Sequence, residues 1–308
     1  MSLSLVTSLG DIKLKNPFIL ASGILDLAPS LFLRAAKSGA GAIVTKTITM
    51  NERKGFENPV IVEVPCGFIN SMGLPNPGIE YFIEHCIKGI DKKIDVPIIL
   101  SLGPSSREDI EIMMDYVERS SIEIIEINAS CPHVKGHGLT ILEDEATLGE
   151  IIRTVKRRLQ KGLVLVKISA LVSNLVKVAD VIFSSGADGI VAINTLKAIA
   201  IDIWSKKPIL GGIYGGLSGP AIKHVALRCI YELYESFPDK IIIGVGGITS
   251  WEDAVEFFLA GASAVQIGSA VAVKGLEIFK ELAKGVSRYL KDEGYSSLEE
   301  IIGLAHNF

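Results

Sequence analysis

Ser38-Gly39-Ala40-Gly41-Ala42-Ile43-Val44 returns twice in altered form, as Ser185-Gly186-Ala187-Asp188-Gly189-Ile190-Val191 and as Ala260-Gly261-Ala262-Ser263-Ala264-Val265. Each copy reads as a helix end, a glycine at the C′ position where positive φ is cheapest, and a short turn into a buried strand. A recurring helix-to-strand junction is the mark of a βα repeat. Outward from these junctions, short apolar runs predict strands at 18–21, 42–47, 97–102, 124–128, 163–168, 189–194, 240–245 and 264–268. The runs are continuous rather than alternating, the pattern of parallel strands covered on both faces. Helix-period segments lie between them. One, at 107–119, follows Ser105 and Ser106; another, at 254–259, follows a capping-box pattern in Thr249-Ser250-Trp251-Glu252. Ser297-Leu298-Glu299-Glu300 is a second such pattern near the end.

Eight strands with intervening helices predict an α/β fold, a (β/α)8 TIM barrel forming a single domain over 1–308. The alternative is an open doubly wound sheet, against which no GxGxxG follows the first strand. Segments 3–6 and 11–14 around Leu9-Gly10 read as a hairpin closing the barrel floor. Two long connections, 49–95 and 195–239, are predicted insertions on the catalytic face, where the strands end.

Composition narrows the function classes. The 308 residues carry a net charge of −4; 48% are hydrophobic and 21% charged. This is no disordered chain, and at this length about 75% of the unfolded surface can be buried without staples. Mild acidity argues against a nucleic-acid or anionic-membrane binder. The longest uncharged stretch, 257–273, contains Gln266, two serines and two glycines, and a membrane span needs about 20 mostly apolar residues. Asp11, Lys13 and Lys15 break up the start of the chain, so no secretory leader is expected. Cys66, Cys86, Cys131 and Cys229 form no CxxC pair, which excludes a local zinc or iron–sulfur knuckle and points to a reducing cytoplasm.

Chemistry-bearing residues sit where the strands end. Lys46 closes the second run, and Lys167 is embedded in the fifth. A lysine in a buried strand is costly unless it snorkels, pairs, or meets an anion. Asn128, Ser130 and Cys131 follow the fourth run, and Pro132 pushes Cys131 toward an extended conformation. A lone cysteine is either an inert small hydrophobe or a reactive thiol, and sequence does not separate the two. His133 and His137 share their loop with Gly136 and Gly138, so they form no helical metal pair. Glycines cluster at 215–219, at Gly246-Gly247 and at Gly268-Ser269. The last two groups follow the seventh and eighth runs, where barrels bind phosphate on bare backbone N–H groups.

Longer stretches carry a family resemblance: Thr45-Lys46-Thr47-Ile48-Thr49, Ile69-Asn70-Ser71-Met72-Gly73-Leu74-Pro75-Asn76-Pro77-Gly78, Asn128-Ala129-Ser130-Cys131-Pro132, Ile193-Asn194-Thr195, and 215–223. The chain resembles the catalytic FMN subunit of the class 1 dihydroorotate dehydrogenases, most closely class 1B. The resemblance implies a barrel that oxidises (S)-dihydroorotate to orotate in pyrimidine biosynthesis, the hydride passing to FMN N5. It makes Cys131 the general base. It assigns Lys46, Asn70, Met72, Gly73, Leu74, Asn128, Asn194 and Thr195 to substrate. It assigns Ala21, Ser22, Lys46, Asn128, Lys167, Ser218, Gly219, Gly246, Gly247, Gly268 and Ser269 to FMN, with Lys167 at the flavin N1 edge. It also implies a homodimer, or a heterotetramer whose partner subunit holds FAD and a [2Fe–2S] cluster and passes electrons to NAD. A fumarate-using homodimer is the other possibility, and no membrane-anchoring extension of the quinone-linked class is expected. One departure stands out: His133 replaces a usual asparagine, as in dihydropyrimidine dehydrogenases, and gives an alternative substrate of the uracil type.

Overall fold

All eight apolar runs become strands of one closed barrel in the computed structural model of the chain, which describes residues 4–90, 92–129, 142 and 144–307. They are β1 (Phe18–Leu20), β2 (Ala42–Val44), β3 (Ile98–Leu102), β4 (Ile124–Asn128), β5 (Leu163–Ile168), β6 (Gly189–Ala192), β7 (Ile241–Val245) and β8 (Ala264–Ile267). Every neighbouring pair is parallel, and the order around the barrel is the order along the chain, β8 closing on β1. Helices α1 (Pro29–Lys37), α2 (Ile79–Phe82, continued by a π turn), α3 (Arg107–Val117), α4 (Glu145–Leu159), α5 (Leu175–Ser184), α6 (Lys223–Ser236) and α7 (Trp251–Leu259) alternate with the strands. The short α8 (Ser269–Lys274) and the long α9 (Ile278–Asp292) follow β8.

The three repeated junctions behave as their sequence requires. Gly39, Gly186 and Gly261 follow α1, α5 and α7 with φ of 105°, 100° and 114°, values a side chain resists. Ser106 caps α3 by accepting from the Asp109 N–H. Ser250 caps α7, and the reciprocal carboxylate is Asp253, one residue beyond the expected Glu252, because the cap is Ser250 and not Thr249. The final capping pattern opens only a 3-10 turn, Glu299–Ile301.

Side chains inside the barrel stack in layers. Ile124, Leu165 and Ala264 are fully buried and pack with Ile19, Ile99 and Val191. The floor is closed by Leu9 and Leu14, both fully buried in the same cluster. They come from the expected hairpin, but its strands are Thr7–Leu9 and Ile12–Leu14, so the first lies later than 3–6. The two-residue turn Gly10-Asp11 fixes this register by pairing Leu9 with Ile12.

The long connections after β2 and β6 meet in one antiparallel sheet that the sequence did not announce. Its order is Leu196–Ala198, Gly215–Ser218, Gly67–Asn70, Ile61–Val64. Gly216 pairs with Asn70 and Ser218 with Phe68, which joins the two insertions. A Cβ on Gly67 would stand 1.9 Å from the Ser218 carbonyl oxygen, so the close approach needs glycine there. Among the described residues, no helix is long and apolar enough to cross a membrane.

Candidate active site

The barrel opens at the C-terminal ends of its strands into a cavity of about 250 Å³. Every site residue expected from sequence that lies among the described residues lines it. Ala21 and Ser22 follow β1, Lys46 follows β2, Asn128 ends β4 and Lys167 stands in β5. Asn194 and Thr195 follow β6, Gly246 and Gly247 follow β7, and Gly268 and Ser269 follow β8. Asn70, Met72, Gly73, Leu74, Ser218 and Gly219 enter from the two joined insertions. The strands β2 and β6 are shorter than expected, so Lys46 and Asn194 stand two residues past a strand end. Cys131, with Ser130 and His133, lies outside the described residues. Of the described cysteines, none lines this cavity, and burial pushes the thiols of Cys86 and Cys229 up.

A hydrogen-bonded chain presents the asparagines. Asn128 donates through Nδ2 to Thr47 Oγ1 at 2.9 Å, and Thr47 meets Ser101 Oγ at 3.0 Å. Asn194 donates to Asn128 Oδ1 at 3.4 Å, while its own Oδ1 accepts from the Thr195 N–H at 2.8 Å. Asn70 Nδ2 donates to the Gly216 carbonyl at 3.2 Å, across the joined strands. Amides held this way offer donors and acceptors in fixed directions, as a ring bearing N–H and C=O groups needs.

The two lysines are treated differently. Lys46 is only 8% exposed and lines the cavity, yet its ammonium has no hydrogen-bond or ion-pair partner among the described residues. Its charge acts on Asp26, whose own carboxylate accepts from the Gly23 N–H. Burial raises the Asp26 carboxyl above its ordinary value, and the Lys46 charge offsets only part of this. An ammonium that opens on the cavity without an acceptor is poised for an anion from outside. Lys167, in contrast, donates to Gln266 Oε1 at 2.8 Å.

Two backbone turns complete the rim. Gly246 and Gly247 have φ of 131° and 76°, and a Cβ on Gly247 would stand 2.7 Å from the Lys223 side chain. At Gly268 the nearest atom to an added Cβ is 3.6 Å away, which leaves its backbone open to a ligand. Bare backbone at the ends of β7 and β8 suits a phosphate.

Sequence reasoning missed Gln266, Glu126, Asp26 and the Thr47–Ser101 pair. A signal existed for the first two. Glu126 interrupts the run Ile124-Ile125-Glu126-Ile127, and Gln266 interrupts Ala264-Val265-Gln266-Ile267, just as Lys167 interrupts its own strand. Asp26 and Ser101 carried no comparable signal.

The family model for dihydroorotate dehydrogenase matches residues 4–290. A protein of Pyrococcus abyssi named dihydroorotate dehydrogenase B (NAD(+)), catalytic subunit, is 50% identical over 98% of this chain and 99% of its own. Proteins of the same name from Pyrococcus furiosus and Methanocaldococcus jannaschii are 48% and 45% identical, each over 98% of this chain and 99% and 98% of their own. A barrel whose mouth gathers the expected residues, and relatives alike from end to end, make this chain a member of the dihydroorotate dehydrogenase family.

Proposed function

We propose that the chain oxidises dihydroorotate to orotate, a step of pyrimidine biosynthesis, with FMN bound in the mouth of the barrel. The observation that carries this reading is Lys46: a largely buried lysine whose ammonium lacks an acceptor among the described residues, in one cavity with Asn70, Asn128 and Asn194. The residues present fit the cofactor. The open backbone at Gly268, the turn at Gly246-Gly247 and Ser269 suit its phosphate; Ala21, Ser22, Ser218 and Gly219 border the same space; and Lys167 supplies a fixed cation for the ring. When bound, the flavin supplies a two-electron acceptor for the hydride that leaves C6 of the substrate.

The protein's own groups do the rest. Lys46 Nζ, with the backbone of Met72, Gly73 and Leu74, holds the substrate carboxylate. Asn70, Asn128, Asn194 and Thr195 orient the pyrimidine by hydrogen bonds to its ring N–H and C=O groups. Cys131 Sγ takes the C5 proton; a free thiol ionises at about pH 8.5, close enough to neutrality to serve as a base when shielded from water. The relatives above are named catalytic subunits of an NAD(+) enzyme, which supports a partner subunit for electron transfer; the resemblance adds FAD and a [2Fe–2S] cluster on that partner, a homodimer or a heterotetramer with it, and a cytoplasmic place. The uracil-type alternative suggested by His133 is not favoured, since these relatives are dihydroorotate enzymes by name.

Anaerobic reduction tests the reading. The purified protein should be yellow and should bleach on addition of dihydroorotate but not of dihydrouracil. Cys131→Ala should keep its flavin and bleach about 10²–10⁴-fold more slowly, the usual loss for a missing general base. Bleaching at the native rate would remove Cys131 from the chemistry.

A further inference from the structure

Beneath the cavity the barrel interior carries a polar layer. Along β4, Ile124 belongs to the apolar cluster inside the barrel, whereas Ile125 and Ile127 pack outward against the helices. The period of two puts Glu126 on the inward face with Ile124. By the same count Lys167 shares the inward face of β5 with Leu165, and Gln266 that of β8 with Ala264. One step above the Ile124, Leu165 and Ala264 layer, three polar side chains therefore meet. Lys167 Nζ donates to Gln266 Oε1 at 2.8 Å, and Gln266 Nε2 donates to Glu126 Oε2 at 2.6 Å. The other carboxylate oxygen of Glu126, Oε1, stands 3.8 Å from Lys167 Nζ and has no hydrogen bond among the described residues. Lys167 and Gln266 line the cavity; Glu126, fully buried, does not.

A buried carboxylate beneath a cavity is a cost that apolar packing at the same position would avoid. Glu126 cannot touch a ligand, but its charge and its bond to Gln266 act on the one ammonium of this layer that can. We infer that Glu126 is a positioning residue that sets how strongly the bound flavin holds electrons: through Gln266 it fixes the Lys167 ammonium, and its own charge offsets part of that cation's field. This rests on the flavin reading above. A negative charge near the ring opposes its reduction, and a low-dielectric interior transmits that opposition over a second shell of atoms.

The test is the midpoint potential of the flavin in the folded holoenzyme, read by anaerobic redox titration beside indicator dyes. Glu126→Gln keeps the shape and the acceptor for Gln266 but removes the charge. It should shift the oxidised-to-reduced ratio about tenfold toward the reduced form, an upward move of about 30 mV for a two-electron couple. Glu126→Asp keeps the charge, withdrawn by one methylene, and should fall between wild type and Glu126→Gln. Orotate affinity should stay within about twofold in both, because the substrate carboxylate is held elsewhere, at Lys46. Wild-type potentials in both folded, flavin-loaded variants would overturn the inference. So would loss of the folded holoenzyme in both, which would make Glu126 a residue of stability alone. A wild-type protein that takes up no FMN would instead overturn the proposed function, and this inference with it.

Discussion

Replacing Lys46 with methionine separates a ligand-binding lysine from a structural one. The change removes the ammonium and keeps most of the unbranched stem, so the volume left in the wall is nearly filled. In the described structure this ammonium satisfies no acceptor, and its loss orphans no hydrogen bond. Asp26 loses the charge that offsets part of its burial, so its carboxyl, already raised by burial, is raised further. The expected change in stability is therefore small, within about 1 kcal/mol, which for a chain of 308 residues is about 2 °C in Tm. Binding should change far more. A hydrogen bond to a charged partner contributes about 1.5–3 kcal/mol, so orotate affinity should fall about 10- to 150-fold. Calorimetric titration with orotate, beside a thermal scan of the same preparation, reads both numbers. Native orotate affinity with a Tm lowered by many degrees would refute the reasoning and make Lys46 a packing residue.

Leu14→Ala perturbs the opposite end of the barrel. A fully buried leucine in the floor cluster costs about 2–5 kcal/mol when truncated, or about 3–8 °C in Tm here, while flavin content should stay native. A flavin-depleted variant with native Tm would show that the hairpin serves the site and not the floor. At Asp253, burial opposes ionisation, but the Lys223 ammonium at 2.9 Å and donors from Thr249 outweigh it and hold the carboxyl below its ordinary value. Stability from that depressed carboxyl is present above the unfolded value of 3.8 and is lost as pH falls through the folded one. In urea melts Asp253→Asn should therefore trail wild type at pH 7, and the gap should narrow as the pH is lowered below 3.8; an unchanged gap would assign the effect to the cap geometry alone.

The barrel was legible because its information is local. A continuous apolar run and a C′ glycine declare themselves within ten residues, and eight repetitions leave few alternatives. The sheet over the mouth was not, because its information is distant. Asn70 and Gly216 pair across 146 residues, the strand Gly215–Ser218 is half glycine, and Ile61–Val64, though β-branched, alternates exposed and half-buried, so local propensity does not show which segments pair. The sequence placed the insertions on the correct face, but it could not show that the two join, or that this junction is what turns Asn70 toward the cavity. The polar layer stands between these cases. Lys167 was singled out for interrupting an apolar strand, and the same test applied to Glu126 and Gln266 would have found its partners. What the test lacks is the register: only β4, β5 and β8 closing on one axis show that three interruptions are one cluster.

That register also explains why two buried lysines at one barrel mouth are built so differently. Under the proposed function Lys46 meets a substrate that arrives and leaves with every turnover. Had the fold paired it beforehand, each binding event would have had to break that pair, and the gain from the new hydrogen bond would be returned in full. An ammonium that opens on the cavity unpartnered among the described residues, with the Asp26 carboxyl raised by burial, holds its attraction for the visiting carboxylate. Lys167 meets a resident group whose charge changes while its position does not. For that task a fixed ammonium is better than a free one, since a dipole oriented beforehand needs no reorganisation when electrons arrive. Gln266 supplies the fixing and Glu126 the counterweight. The contrast makes the two sites separable by experiment: changes at Lys46 should weaken orotate binding, whereas changes at Glu126 should move the potential with orotate affinity unmoved.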